Sequence, residues 1–218
     1  MFRRRRRPHA RDMDEQRSEE VLSFWLSTPA TTAEALMSKF RRWYQGGPEL
    51  DREIDARFGG VLETALAGGL HDWTNALSGQ LALVIVLDQF TRNSYRGTPR
   101  AYAGDSRALS LSLGMIERGA LSSLDSEAQL FVMMPLIHAE DAAMQARAVE
   151  LAERLVSTEP REELRAAWAS GAQRARHYQS VIARFGRFPH RNAILGRRST
   201  TEELTFLEGE TTVKSPLA

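Results

Sequence analysis

The sequence predicts an all-α protein with a single folded domain. Apolar residues recur at the 3.6-residue spacing of a helix from residue 18 almost to the end of the chain, and strand-like alternation is not sustained anywhere. A length of 218 residues suits one core, and 42% hydrophobic with 26% charged residues is an ordinary globular composition. We expect about eight helices, in antiparallel pairs or an irregular bundle, because the connections between them are short.

The first third of the chain provides two clear helices and one uncertain segment. Ser18 is a candidate N-cap for a first helix, which should end at Pro29. The stretch around Phe40 is less certain. A second helix is predicted to begin at Pro48, which is tolerated in a first turn, and to end at the glycines of 68–69.

The middle of the chain should contain the most deeply buried helix. It begins near Ser78 and includes LALVIVL, which is apolar on every side and therefore indicates a helix surrounded by protein. This helix leads into the motif DQFTRN. Thr98 and Pro99 then form a cap and first-turn pair for a helix that reaches about Arg118.

Four helices are predicted in the last part of the chain. A short one spans 125–134 and is kinked or ended by Pro135, another spans 139–156, and the longest spans 160–185 before the terminating Gly186. Ser199 and Thr200 precede Glu202 and Glu203 at the spacing of a capping box, which begins a final helix through Leu207.

The predicted domain therefore covers residues 18–208, with disordered tails at 1–17 and 209–218. The first eleven residues carry six arginines and no acid, so the remainder has a net charge of about −5. A mildly acidic body argues against nucleic-acid binding, for which only the arginine tail, Arg3 to Arg7, offers positive charge. The natural start could be Met1 or Met13.

Composition also excludes several classes of function. The absence of cysteine excludes disulfides, a thiol nucleophile and thiolate zinc sites. The longest apolar run, residues 81–87, is much shorter than the roughly 20 residues of a membrane span, and no hydrophobic stretch follows the arginines as in a signal peptide. No nucleophile elbow or phosphate loop is present. We expect a cytoplasmic protein without a cofactor or a metal.

The motif DQFTRN introduces charge into the buried helix. Asp88 and Arg92 project from the same side as Ile85, and an unpaired buried charge costs several kcal/mol. Their i, i+4 spacing allows a direct ion pair, which would be purely structural. Alternatively, Asp88 orients Arg92 so that its planar donor group, flanked by Asn93, binds an anion.

The motif HAED follows Pro135 and should lie where the next helix begins. Glu140 and Asp141 are explained as acidic residues in a first turn, which interact favourably with the helix dipole. His138 needs a partner for at least one ring nitrogen. It is a weak candidate for a general base whose tautomer Asp141 fixes, or it caps a carbonyl group in the core.

The motif FGRFPHRN places Arg187, His190, Arg191 and Asn192 in one loop, which Pro189 stiffens. Two arginines and exposed backbone N–H groups near the start of a helix suit a carboxylate or a phosphate. His190 is a second weak candidate for a catalytic base. The alternative is that these side chains cap the long helix and pair with acids of the domain.

Three motifs in this order resemble a mainly bacterial family catalogued as domain of unknown function 924. The resemblance covers residues 19–208 and rests on Trp73, LDQFTRNSYRGTPRAY at 87–102, PLIHAED at 135–141 and FGRFPHRNAILGR at 185–197. It implies a tetratricopeptide-like stack of antiparallel helix pairs. It implies no reaction, substrate or catalytic residue.

Two functions remain open. The first is a site for a small anionic molecule, lined by the three motifs and catalytic if His138 or His190 acts as a base for hydrolysis or proton transfer. The second is a protein-interaction module in which the buried motifs only hold the helices together. The candidate ligand-binding residues are Asp88, Arg92, Asn93, His138, Asp141, Arg187, His190, Arg191 and Asn192.

Overall fold

The structure, a computed structural model, describes the backbone of residues 10–212 and the side chains of residues 15–209. No strand occurs within this range, so the predicted all-α fold is confirmed. The α-helices are α1 Ala10–Trp25, α2 Ala33–Gln45, α3 Gly47–Leu66, α4 Leu77–Ile85, α5 Thr91–Ser94, α6 Asp105–Glu117, α7 Ser126–His138, α8 Ala142–Thr158, α9 Glu162–Phe185 and α10 Thr201–Thr212.

Helix α1 begins earlier than predicted. It starts at Ala10, and the Ser18 hydroxyl, predicted to cap the helix, instead donates to the carbonyl oxygen of Glu15 inside it. Residues 10–17 contain no glycine or proline, so nothing in their sequence stops the helix. At the other end, α10 extends past Leu207. The rest of the predicted tails, residues 1–9 and 213–218, lies outside the described residues.

The uncertain segment around Phe40 is helix α2. The Thr32 hydroxyl caps it by accepting the backbone N–H of Ala35, and its buried face contains Leu36, Phe40 and Trp43. This face fits the helical period, whereas the polar residues between the buried positions obscured the assignment. About eight helices were expected without this segment. With α2 included, the described range contains nine helices that are each at least nine residues long.

Helix α7 does not end at Pro135. The helix continues for another turn to His138, and every residue from Leu130 to Ile137 is buried. Proline removes one backbone hydrogen bond, but burial on all sides of the helix offsets that loss. His138 therefore ends α7, whereas the sequence predicted it at the start of the following helix. Asp141 occupies that start, as the N-cap of α8.

The segment after DQFTRN also differs from the prediction. Pro99–Tyr102 forms a separate 3₁₀ turn, and α6 begins only at Asp105. Gly104 precedes α6 and lies against the backbone of Leu87, so closely that a Cβ atom would be 2.2 Å from the Leu87 carbonyl oxygen. The glycine allows the start of α6 to approach the DQFTRN motif.

The core surrounds α4 as the LALVIVL segment predicts. Helix α4 packs against α1, α6 and α7, and its residues 81–85 are all buried. Helices α8 and α9 pack along each other beside this centre, and α2 also contacts α9. Among the described helices, none combines the length and the apolar character needed to cross a bilayer.

Candidate functional site

A π-helical turn, Val86–Phe90, continues α4 and places a carboxylate inside the core. Such turns are rare and occur frequently at functional sites. Asp88 lies in this turn with 1% of its surface exposed. Its oxygens are 2.7 Å from Nδ1 of His138, 3.1 Å from a terminal nitrogen of Arg92 and 2.5 Å from the side-chain nitrogen of Gln89. The predicted direct contact between Asp88 and Arg92 is therefore present.

The surroundings of Asp88 fix the protonation of this group and of its histidine partner. Burial alone would raise the pKa of Asp88, but Arg92, His138 and Gln89 hold it well below its ordinary value. An ionised carboxylate only accepts hydrogen bonds, so Nδ1 of His138 must donate. Burial and the charge of Arg92 lower the pKa of His138. The ring is therefore neutral near pH 7, and Nε2 carries the lone pair.

Arg92 is held by two carboxylates. Its terminal nitrogens donate to both oxygens of Asp105, at 2.8 and 3.0 Å, and one of them also donates to the backbone oxygen of Asp88 at 2.7 Å. Asp105 lies in the first turn of α6, which Gly104 brings close to the π-helical turn. The planar donor group that the sequence assigned to an anion is thus largely occupied within the protein.

Glu140 joins the HAED motif to the FGRFPHRN loop. Its carboxylate accepts the backbone N–H of Phe188 at 2.8 Å and two hydrogen bonds from Arg197 at 2.5 and 2.9 Å. Burial raises the pKa of Glu140, but Arg197 and the Phe188 N–H outweigh it, so the net pKa is lowered and the group stays ionised. The loop is consequently fixed against the junction of α7 and α8.

Arg191 in the same loop is buried without a charged partner. Only 7% of its surface is exposed, and its guanidinium carbon lies 4.6 Å from the centre of the Phe188 ring and 4.9 Å from that of Tyr102. The Nε atom is inaccessible and forms no hydrogen bond, and no ion pair of this side chain occurs within the described residues. Burial first, and then Arg92, lower the pKa of Arg191.

The Tyr102 ring connects the two arginines. The guanidinium of Arg92 lies 5.7 Å from the centre of that ring, which Arg191 also contacts. The DQFTRN motif therefore meets both HAED, through Asp88 and His138, and FGRFPHRN, through Tyr102. We name these residues the charged cluster: Asp88, Arg92, Asp105, His138 and Arg191.

Two other candidates from the sequence have structural partners. Asp141 accepts the backbone N–H of Met144 at 2.9 Å and thereby caps α8. It does not contact Nδ1 of His138, which Asp88 occupies. Arg187 donates to both oxygens of Glu203, at 2.6 and 2.8 Å, and so connects the loop to α10.

The remaining candidates are Asn192, Asn93 and His190. Asn192 donates to the Ser199 hydroxyl at 3.0 Å and is buried, and Asn93 is buried within α5. The His190 ring is exposed to solvent on one side and stacks 5.6 Å from Phe188 on the other. Partial burial of this ring and the charge of Arg191 lower the pKa of His190 to about 4.

Sequence reasoning missed several residues that complete this arrangement. Asp105 and Tyr102 come from the segment after DQFTRN, and Arg197 follows the loop. Tyr44 of α2 lies close enough to Asp88 for the carboxylate to affect its pKa. Tyr102 and Arg197 are the last residues of the motifs at 87–102 and 185–197, so the motifs themselves could have identified them. No motif or spacing marks Asp105 or Tyr44, and only the packing of α2 and α6 could identify these two.

Other parts of the described chain offer weaker candidates. No group of three or more histidine, aspartate or glutamate side chains suitable for a metal ion occurs among the described residues. An open groove of about 290 Å³ between α8 and α9 is lined by Val156, Ala169 and Ala172, and by Glu153 and Arg176, which form an ion pair. None of the three motifs lines this groove.

Comparisons with known proteins agree with the fold. A family described as a bacterial protein of unknown function, DUF924, matches residues 21–211. A solved structure of a protein of unknown function from Agrobacterium tumefaciens is 30% identical, with a TM-score of 0.74 over 89% of this chain and 98% of that one. No curated protein matches the sequence.

Proposed function

The chain belongs to the bacterial DUF924 family, and we propose that its charged cluster binds a small anionic molecule through Arg191. One observation carries the proposal: Arg191 is only 7% exposed, its Nε atom is inaccessible and has no hydrogen-bond partner, and no acceptor for its terminal nitrogens occurs among the described residues. Burial of a polar group without a hydrogen-bond partner costs a few kcal/mol, and more for a charged group.

The surroundings of Arg191 offset only part of this cost. Contact with the faces of Phe188 and Tyr102 contributes about 0.5 to 2 kcal/mol each. Asp105 and Glu140 favour the charge of Arg191 from a distance, but both carboxylates already bind other arginines. A carboxylate or phosphate oxygen would provide the missing acceptors, so binding would relieve a penalty that folding leaves in place.

The position of His138 gives this site a candidate base. Arg191 is close enough to contribute to the lowered pKa of His138, and Asp88 holds the ring with Nδ1–H pointing inward. The lone pair on Nε2 can accept a proton from water or from a bound hydroxyl group. If the site is catalytic, this arrangement supports hydrolysis or proton transfer, with Asp88 as the group that orients the base.

The alternative is a tetratricopeptide-like interaction module. An interaction groove of that kind exposes apolar or charged side chains to its partner, and the groove between α8 and α9 has such side chains but none of the three motifs. Among the described side chains, Met37 and Leu204 are the exposed large hydrophobic ones, at 42% and 51%. They lie on different helices, α2 and α10.

Thermal unfolding with a panel of anionic metabolites tests the proposal. A ligand at about 100 times its Kd stabilises the folded state by about 2.7 kcal/mol, which raises Tm by roughly 5 to 10 °C for a chain of this size. Arg191→Met should abolish this response because it removes the unpaired donors. The unliganded variant should stay within about 1 kcal/mol of the wild type, since an uncompensated cation is lost together with its aromatic contacts.

Arg198 provides the matched control. It is an exposed arginine of the same segment, and Arg198→Met should preserve the response to the ligand. The proposal is wrong if Arg191→Met keeps the full response. The proposal is also wrong if Arg191→Met lowers the free energy of unfolding by about 3 kcal/mol or more and the variant still binds a protein partner. That outcome is expected if Arg191 has only a structural role.

A further inference from the structure

A ligand can reach the unpaired arginine only at the end of its side chain. The Nε atom of Arg191 is inaccessible to solvent, whereas its terminal nitrogens, which also lack an acceptor among the described residues, are not closed off. The guanidinium carbon lies 4.6 Å from the centre of the Phe188 ring and 4.9 Å from that of the Tyr102 ring. Phe188 is only 2% exposed, so Tyr102 is the ring of this pair that reaches the surface.

Tyr102 carries a polar group that has no partner within the described protein. Its side chain is half-buried, and its hydroxyl forms no hydrogen bond with any described residue. The hydroxyl oxygen is not enclosed by protein either, so it is open to solvent. Tyr95 of the same motif differs, because its hydroxyl donates to Glu63. The Tyr102 hydroxyl is therefore available to a ligand.

The protein fixes the position of the Tyr102 ring. Tyr102 is the last residue of the 3₁₀ turn Pro99–Tyr102, which begins with a proline of fixed φ. The ring also lies 5.7 Å from the guanidinium carbon of Arg92. Two hydrogen bonds from Arg92 to Asp105 hold that arginine in place. The ring is consequently held against Arg191 before a ligand binds, which reduces the entropy that binding costs.

One anion can contact both donors. The hydroxyl oxygen is attached to the ring whose centre lies 4.9 Å from the guanidinium carbon of Arg191. Two hydrogen bonds of about 2.8 Å, one on either side of a carboxylate or phosphate group, can connect donors at such a separation. A halide ion offers only a single acceptor atom and a shorter span.

We propose that Tyr102 is a specificity-determining residue of this site and that its hydroxyl donates to the same oxyanion that Arg191 binds. This inference rests on the proposed function. It narrows the ligand class to molecules with a carboxylate or phosphate group, one oxygen of which accepts from Arg191 and another from Tyr102.

Tyr102→Phe tests the role of the hydroxyl, because it removes that group and keeps the ring beside both arginines. Thermal-shift titrations at constant ionic strength would give the dissociation constants of sodium acetate and sodium phosphate, with sodium chloride as the background. A hydrogen bond to a charged group is among the stronger ones in proteins, so its loss should weaken binding of the preferred oxyanion about tenfold. The unliganded variant should unfold at the wild-type temperature, since the hydroxyl has no partner among the described residues.

Two further variants separate this inference from the proposed function. Tyr95→Phe is the matched control, because it removes a hydroxyl of the same motif that already donates to Glu63, and it should leave both dissociation constants unchanged. Arg191→Met should abolish the response to both oxyanions. Wild-type affinity of Tyr102→Phe for both oxyanions, or a lower unfolding temperature of this variant without ligand, overturns the role of Tyr102 alone. If acetate and phosphate stabilise the wild type no more than chloride does, the inference fails, whereas the metabolite panel with Arg191→Met still decides the proposed function.

Discussion

The buried imidazole of His138 couples the stability of the fold to pH. Its pKa is lower in the folded protein than in the unfolded chain because of burial and the charge of Arg92. Below the ordinary histidine pKa of about 6.5, the unfolded chain therefore binds a proton that the folded protein does not. The contribution of His138 to the free energy of unfolding is therefore fully present above pH 6.5, and it is lost as the pH falls from 6.5 toward the folded-state pKa.

Urea denaturation between pH 7.5 and 5 measures this effect. The free energy of unfolding should fall by no more than about 1.4 kcal/mol per pH unit for each such group. His190, whose pKa burial and the charge of Arg191 lower to about 4, is a second group of this kind and contributes equally in the wild type and in the variant. In His138→Gln the side-chain amide can still donate to Asp88 but does not titrate, so the slope should be smaller. An unchanged slope would contradict the buried neutral ring. The pKa values of Asp88 and Glu140 are also lowered. These two carboxylates change the free energy of unfolding mainly in more acidic solution, so they do not account for a difference between the wild type and His138→Gln.

Local residue pairs were predictable from the sequence, and distant ones were not. The Asp88–Arg92 contact follows from an i, i+4 spacing on a buried helix. The capping box at α10 is also present, since Glu203 accepts the N–H of Thr200 and donates its own N–H to the Thr200 hydroxyl. Asp105 accepts two hydrogen bonds from the Arg92 guanidinium. It lies on another helix, and no sequence spacing relates it to Arg92.

At the scale of elements, Glu140 at the junction of α7 and α8 holds the loop that follows α9. Glu140→Ala would remove the hydrogen bonds to Phe188 and Arg197 together. The pair with Arg197 is about three-quarters buried, so its loss should cost about 2 kcal/mol, between the values for surface and fully buried pairs. The loop should also loosen, and the anion response at Arg191 should weaken.

Hydrogen exchange of residues 186–198 measures the loosening, and urea denaturation measures the stability. Glu202→Ala is the control, because Glu202 forms an exposed pair with Arg184 that should contribute less than about 1 kcal/mol. If Glu140→Ala exchanges at the wild-type rate throughout this segment, the loop is held by other contacts, such as the Arg187–Glu203 pair.

Helices were easier to predict than their ends. The period of the apolar residues identified the long helices, and Gly186 ends α9 with a positive φ of 69°, as expected for a helix-terminating glycine. Pro135 was misleading because local chemistry disfavours proline inside a helix, whereas the surrounding core keeps α7 intact. The position of a helix end depends on a competition between local backbone preferences and packing in the core. The sequence alone does not reveal which of the two prevails.

At the scale of the molecule, the core should unfold as one unit. The four tryptophans, Trp25, Trp43, Trp73 and Trp168, lie in or beside different helices and belong to the same buried cluster. Chains longer than about 150 residues often unfold through intermediates. Because this cluster contains residues of α1 to α4 and of α6 to α9, we expect the unfolding transitions seen by tryptophan fluorescence and by far-UV circular dichroism to coincide.

Two separated transitions would contradict this expectation and would indicate that α8 and α9, which pack extensively on each other, unfold independently. The all-α class and the family were predictable because many weak signals along the chain agree. The meeting of the three motifs was not, because it depends on how helices far apart in sequence pack against one another.

The π-helical turn at Val86–Phe90 also has an evolutionary consequence. A π-helical turn contains one residue more than the α-helical turn it replaces, so the insertion of one codon into a regular helix creates it and the deletion of one codon removes it. The turn lies between two α-helical segments, α4 and α5. A lineage could therefore gain or lose the Asp88 chemistry in one genetic step while it retained the same buried helix.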